Sequence, residues 1–65
     1  MKKYVVKLLF PDDSAYAIFE DNTLNTIKDK YKATQFDNEN EAVWKAICAV
    51  FEYGISHSTH EEIEV

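Results

Sequence analysis

The segment from Asn38 to Gly54, NENEAVWKAICAVFEYG, constrains the fold more than any other part of the chain. Asn38 is followed three residues later by Glu41, which is the spacing of a helix-capping box. Asp37, Glu39 and Glu41 also place negative charge at the positive end of the helix dipole. Gly54 is positioned to end the helix, because glycine adopts the left-handed conformation without strain. The segment therefore predicts one long helix that ends at Gly54.

This helix has two apolar sides when its residues are placed at 100° intervals. The larger side, here called the apolar stripe, consists of Val43, Trp44, Ile47, Val50 and Phe51. The smaller side consists of Ala42, Ala46, Ala49 and Tyr53. Because large side chains contribute most to hydrophobic burial, we expect Trp44, Ile47, Val50 and Phe51 to be largely buried against a sheet.

The smaller side then needs a cover of its own, and the sequence leaves two alternatives open. Leu24, Ile27 and Tyr31 lie at helical spacing, so a short helix over 23–31 could cover it within the chain. If that segment is not helical, a symmetric homodimer could cover it. Ala46 and Tyr53 are therefore candidate protein-binding residues.

The rest of the chain predicts strands. The segments KYVVKLLF and AYAIFE are rich in β-branched and aromatic residues, and the turn residues of PDDS between them favour a hairpin. Residues 59–64 alternate in a way that is typical of a charged edge strand. The predicted fold is a single α+β domain over 1–65, in the order β-β-α-α-β. Its small antiparallel sheet packs against one long and one short helix, with a flexible tail expected from about residue 56.

Length and composition limit the functional classes. A chain of 65 residues has little room for both a core and a catalytic cleft, so we expect a protein that is not an enzyme and needs no cofactor. The single glycine excludes a glycine-rich phosphate loop. The single cysteine excludes an internal disulfide, which favours a reducing, cytoplasmic setting. No segment has the roughly 20 apolar residues that a membrane-spanning helix needs.

Three groups of residues are candidates for a chemical site. His57 and His60 lack a recognised metal-binding pattern, and a strand would direct them to opposite faces, so no metal site is expected. Cys48 lies in the middle of the predicted helix, where a core role is expected. Lysines at 28, 30 and 32 form a small basic cluster, but the chain has a net charge of −5 and no arginine, which disfavours nucleic-acid binding.

Carboxylates are the most abundant functional groups of the chain. Asp12, Asp13, Glu20 and Asp21 are candidate residues of an acidic docking face for a protein with a basic surface. The leading functional hypothesis is a small acidic protein that binds and regulates or inhibits a larger macromolecule, such as an inhibitor or antitoxin-like factor of a phage or mobile element. The alternatives are a structural homodimer module that uses the Ala42 to Tyr53 side, and a weak metal or nucleic-acid binder.

The segment TQFDNENEAVWKAICAVFEYG resembles the strand-then-helix part of HicB-like antitoxins. The overall layout is also similar to that of small phage antitoxins over part of the chain. The strands around the segment do not match the loop of HicB-like proteins, and no specific motif is shared. We therefore assign no family and transfer no residue role.

Overall fold

The computed structural model describes residues 1–65 as one sheet with one α-helix on it. The sheet is antiparallel and has the strand order β3-β2-β1-β4, so β3 and β4 are its edges. The helix α1 packs against β1 and β4. The elements are β1 (Lys2–Phe10), β2 (Asp13–Glu20), β3 (Thr23–Ile27), a 3₁₀ turn (Lys30–Lys32), α1 (Glu39–Tyr53) and β4 (His57–Glu64). The α+β class and the first hairpin are confirmed.

The second hairpin is the first departure from the predicted order. Asp21 and Asn22 have φ angles of 45° and 64°, so both central residues of this two-residue turn lie in the left-handed region. A turn of this kind matches the twist of paired strands, and Asp and Asn tolerate it better than other non-glycine residues. The turn reverses the chain directly after Glu20, and Thr23 pairs with Glu20.

The short helix predicted over 23–31 is therefore not present. Leu24 and Ile27 belong to β3, and Tyr31 lies in the 3₁₀ turn with its side chain exposed. Their helical spacing was a coincidence of a five-residue strand followed by a turn. The observed order is β-β-β-α-β, with one α-helix instead of two.

The predicted ends of the long helix are confirmed. The amide of Glu41 donates to Asn38 Oδ1 at 2.9 Å, and Asn38 Nδ2 donates to Glu41 Oε1 at 2.8 Å. This reciprocal pair satisfies a backbone donor that the first turn would otherwise leave free. Gly54 ends the helix with a φ of 71°.

The face by which α1 packs on the sheet was predicted wrongly. The buried residues of the helix are Ala42, Ala46 and Ala49, here called the alanine face. In the main core they are joined by Ala17 of the sheet and by three larger side chains from the sheet and the segment before the helix, namely Val6, Leu8 and Phe36. Small residues on the helix allow its backbone to approach a sheet face that is already filled by large ones. The hydroxyl of Ser58 on β4 donates directly to the Ala46 carbonyl, which shows how close that approach is.

The apolar stripe consequently faces away from the sheet. Trp44 is 64% exposed, Phe51 is 83% exposed and Ile47 is 43% exposed. Val43 and Val50, on the flank towards β4, are half-buried. The expectation that Trp44, Ile47, Val50 and Phe51 fill the core is therefore incorrect. The alanine side, expected to need a second helix or a dimer partner, is covered by the sheet.

The segment 28–36 crosses the opposite face of the sheet and then enters the sheet itself. Ala33 packs with Val5 and Ile63 in a second, smaller core. Beyond it, the amide of Thr34 donates to the Ala17 carbonyl at 3.2 Å. Phe36 and Tyr4 exchange two backbone hydrogen bonds of 2.8 and 3.0 Å. The segment thus fills the gap where β1 and β2 diverge.

The predicted C-terminal edge strand is present and begins at His57, two residues earlier than expected. It pairs with β1 in an unbroken register from Leu9–His57 to Lys2–Glu64. The tail expected to be flexible from about residue 56 is thus part of the sheet from His57 onward.

The close packing of the alanine face predicts that added volume there destabilises the protein. We expect Ala49→Leu to lower the free energy of unfolding by about 1–3 kcal/mol, because Ala49 is completely buried between helix and sheet. The matched control is Glu52→Leu, which adds a leucine on the exposed side of the same helix and should change stability by less than about 0.5 kcal/mol. Urea denaturation followed by circular dichroism measures both. Equal stability of the two variants would contradict the assigned face.

Candidate functional site

The most distinctive surface of the molecule is the apolar stripe together with a groove beside it. The groove lies between α1 and β4 and has a volume of about 270 Å³. Its residues are Val43, Ala46, Ile47, Val50 and Phe51 from the helix and Ser58, Thr59 and His60 from the strand. The helical wall is apolar, and the strand wall offers hydroxyl and imidazole groups. An apolar concavity with a few polar groups at one edge is typical of a binding surface.

Two polar contacts hold the walls of the groove together. Ser58 binds the carbonyl of Ala46 near the middle of α1, and His60 Nε2 lies 2.9 Å from Glu39 Oε2 at the helix start. Both side chains come from the face of β4 that points to the helix. The groove is therefore fixed by the fold and does not depend on a ligand for its shape.

The outer edge of β4 carries free backbone groups. Tyr4 directs its amide and carbonyl to Phe36, away from β4, although it is paired with Glu62. In an antiparallel ladder this means that Glu62 also directs its backbone groups away from β1. By alternation, the residues of β4 with outward-facing amides and carbonyls are Ser58, His60, Glu62 and Glu64. This edge lies directly beside the groove.

The candidate acidic residues do not form one face. Asp12 and Asp13 lie at the turn between β1 and β2, whereas Glu20 and Asp21 lie at the other end of β2. Lys28 forms an ion pair with Asp13, and its hydrogen bond holds the pKa of that carboxyl below the usual value of 3.8. The two pairs are separated by the length of β2, so they lie at opposite ends of the sheet.

The candidate residues on the alanine side are also placed differently from expectation. Ala46 is buried between α1 and the sheet, and only a small part of it reaches the groove, so it cannot form the centre of a protein contact in this fold. Tyr53 is half-buried on the same side and is the last residue of α1. A homodimer through Ala42, Ala46, Ala49 and Tyr53 would require α1 to leave the sheet.

A cluster of ionisable groups lies on the face of the sheet opposite the helix. Tyr16 donates to Glu61 Oε1 at 3.0 Å, and Lys30 donates to Glu61 Oε2 at 2.8 Å. The hydrogen bond from Lys30 holds the pKa of Glu61 below its usual 4.5, while the same contact raises the pKa of Lys30. Desolvation and the bond to Glu61 raise the pKa of Tyr16. At neutral pH all three groups thus keep their ordinary protonation states, which suits a structural clamp better than acid-base catalysis.

The other candidate residues for a chemical site lie apart from one another. His57 and His60 point to opposite faces of β4, as the strand geometry requires. Cys48 is half-buried on α1. Of the three lysines, Lys28 and Lys30 are paired with Asp13 and Glu61. No three His, Cys, Asp or Glu side chains come together in a cluster that could hold a metal ion.

The apolar stripe is recognisable in the sequence, but its residues are expected there to be buried in the core. A stripe of large residues beside a stripe of alanines leaves the rotation of a helix ambiguous, since either can face a sheet. The available signal was the regular Ala42–Ala46–Ala49 spacing, which indicates close approach of another element. The open edge of β4 was predicted, but its position next to the stripe was not.

Comparison with known protein families, with curated proteins and with solved structures finds no match. No helix in the structure has both the length and the apolar character needed to cross a membrane.

The Glu61 cluster predicts a defined pH dependence of stability. Because the pKa of Glu61 is lowered in the folded state, its contribution is complete above about pH 4.5 and is lost as the pH falls through the folded-state pKa. We expect Glu61→Gln to lower the free energy of unfolding by roughly 1 kcal/mol at pH 7 and to have little effect at pH 2. Denaturant titrations at several pH values measure this, with Glu52→Gln as an exposed control. A difference that persists unchanged at pH 2 would show that the charge of Glu61 is not responsible.

Proposed function

We propose that this protein is a non-enzymatic protein-binding module whose contact surface is the apolar stripe of α1 and the groove beside β4. The observation that carries the proposal is the exposure of Trp44, Ile47 and Phe51 on one side of a single helix. Large contiguous apolar patches are rare on monomeric proteins and usually mark interfaces.

The chemical character of the surface supports protein binding in particular. Trp44 is a residue type that often dominates the energy of protein interfaces. Glu41, Lys45 and Glu52 occupy the side of the helix away from Ile47, and the charged helix residue beside the groove is Glu39, at the helix start next to His60. The centre of such a surface can therefore be desolvated without burying a charge.

Binding alone would allow the protein to regulate or inhibit a larger macromolecule by covering part of its surface. The ionisable groups of the Tyr16 cluster have pKa shifts that favour their ordinary charge states, which supports a role without catalysis. The fixed groove supports it as well, because a preformed surface loses little conformational entropy on binding.

A second contact surface is suggested by the distribution of charge along the molecule. The C-terminal ends of β2 and β4 and the start of α1 all lie at the end of the sheet where β1 begins. We call this the acidic end, and its carboxylates are Glu20, Asp21, Asp37, Glu39, Glu41, Glu62 and Glu64. Lys2 and Lys3 are the basic side chains there, each in an ion pair. A basic partner would be attracted to this end over a distance of about a Debye length.

Site-specific photo-crosslinking in the cell that produces the protein tests the main proposal. A photoreactive phenylalanine analogue at position 51 should give a discrete protein adduct, because Phe51 is on the apolar stripe. The same analogue at position 52, on the polar side of α1, is the matched control and should give none. Replacing Trp44 and Ile47 by serine in the position-51 protein should abolish the adduct. Adducts of equal yield from both positions, or none from position 51, would contradict the proposal.

The acidic end makes a separate prediction for any partner so identified. Charge reversal of Glu20 and Asp21 to lysine should slow association and reduce its dependence on salt. The same reversal of Asp12 and Asp13, at the opposite end of β2, is the control and should have less effect. Surface plasmon resonance at low and high salt measures both. Association rates that do not depend on salt in the wild type would exclude electrostatic docking.

A further inference from the structure

We propose that the partner of the apolar stripe is a second copy of this chain. Two β4 strands pair in antiparallel orientation about a two-fold axis at Thr59, and the two α1 helices then pack side by side on one eight-stranded sheet. This inference rests on the proposed function, since it names the partner of the same surface. Three observations support it: the free edge of β4, the position of α1 over the sheet and the distribution of charge along β4.

The free edge of β4 is suited to pairing with another β-strand. Its register with β1 is unbroken over its whole length, and it contains no proline. Ser58 and His60 direct their amides and carbonyls outward, next to the groove. Natural edge strands usually carry charges or bulges that prevent pairing. In β4 the acidic residues lie in the second half, from Glu61 to Glu64, and the first half has none.

Charge favours an axis at Thr59 over an axis at Glu61. With the axis at Thr59, Ser58 lies opposite the partner's His60, and their outward backbone groups form the hydrogen-bonded pair. His57 then lies opposite the partner's Glu61, so that no two carboxylates face each other in the paired segment. An axis at Glu61 would place two carboxylates directly opposite each other, which is unfavourable.

The position of the helix gives an independent geometrical argument. Because α1 packs on β1 and β4, its axis lies between these two strands. Pairing of two β4 edges places the two helix axes about two strand spacings apart, which is about 9.5 Å. Packed helices are normally 8–10 Å apart. The strand pairing therefore brings the helices to contact distance without any change in the monomer.

The contact between the helices would be apolar. The side of α1 that faces the β4 edge carries Val43, Ile47 and Val50, and the charged residues Lys45 and Glu52 face the other way. Each helix would close the open side of the partner's groove, with Trp44 and Phe51 above the contact. The dimer thus covers Ile47, which the monomer leaves 43% exposed, and the half-buried Val43 and Val50.

Sedimentation equilibrium of the purified full-length chain tests the inference. We expect the wild type to have twice the mass of the 7.6 kDa chain. Ile47→Lys should weaken the dimer by at least about tenfold, since it places a charge at the helix contact. Glu52→Lys puts the same side chain on the opposite side of α1 and should leave the dimer intact.

Backbone pairing is tested at His60, whose amide faces outward. His60→Pro removes that donor without breaking a hydrogen bond to β1, so it should give a folded monomer. His60→Ala removes the same imidazole but keeps the amide, and should stay dimeric. For the register, Thr59→Cys in a Cys48→Ser background should oxidise readily to a disulfide-linked dimer, whereas His57→Cys should not.

A wild type that remains monomeric at millimolar concentration overturns the dimer but leaves the proposed binding function open, because the cellular crosslink from position 51 would then identify another protein. A dimer that survives His60→Pro and is lost only in Ile47→Lys overturns the strand pairing. Absence of the crosslink in cells together with a monomer in solution overturns both proposals.

Discussion

The close contact between the alanine face of α1 and the sheet determines most of the structure. Ala42 and Ala49 are completely buried, and no large helical side chain separates α1 from β1 and β4. The sheet and the segment before the helix supply the bulk of the core through Leu8, Val6 and Phe36. A second set of large residues from the helix would overfill this space, at a cost of several kcal/mol in a domain with little stability to lose. The apolar stripe faces outward as a consequence.

The parts of the fold that could be predicted are those that depend on local chemistry. The capping pair of Asn38 and Glu41, the glycine at position 54 and the turn residues after Phe10 each act within a few residues. The cap, the helix end and the first hairpin are present, although the turn is shorter than predicted because Asp13 and Ser14 belong to β2. The edge strand at the C-terminus was predicted from its alternation for the same reason. These features need no knowledge of what packs against them.

The parts that could not be predicted depend on the balance between elements. Both sides of α1 are apolar enough to face a sheet, and the choice depends on how much volume the sheet already provides. The segment after Glu20 was ambiguous because Asp21 and Asn22 can cap a helix or form a left-handed turn. The pairing of Thr23 with Glu20 favours the turn over a helix cap. That pairing requires β2 to be formed.

Strand β4 is held on both of its faces, and this bears on how it can bind. On one face Ser58 and His60 attach it to α1, and on the other Glu61 is clamped by Tyr16 and Lys30. A strand fixed in this way loses little entropy when its free edge forms further hydrogen bonds. The alanine face keeps the monomer folded without using the apolar stripe, so Trp44, Ile47 and Phe51 are free to contribute to binding. Stability and recognition are thus assigned to different sides of one helix, and a substitution on the apolar stripe can alter binding while leaving the fold in place.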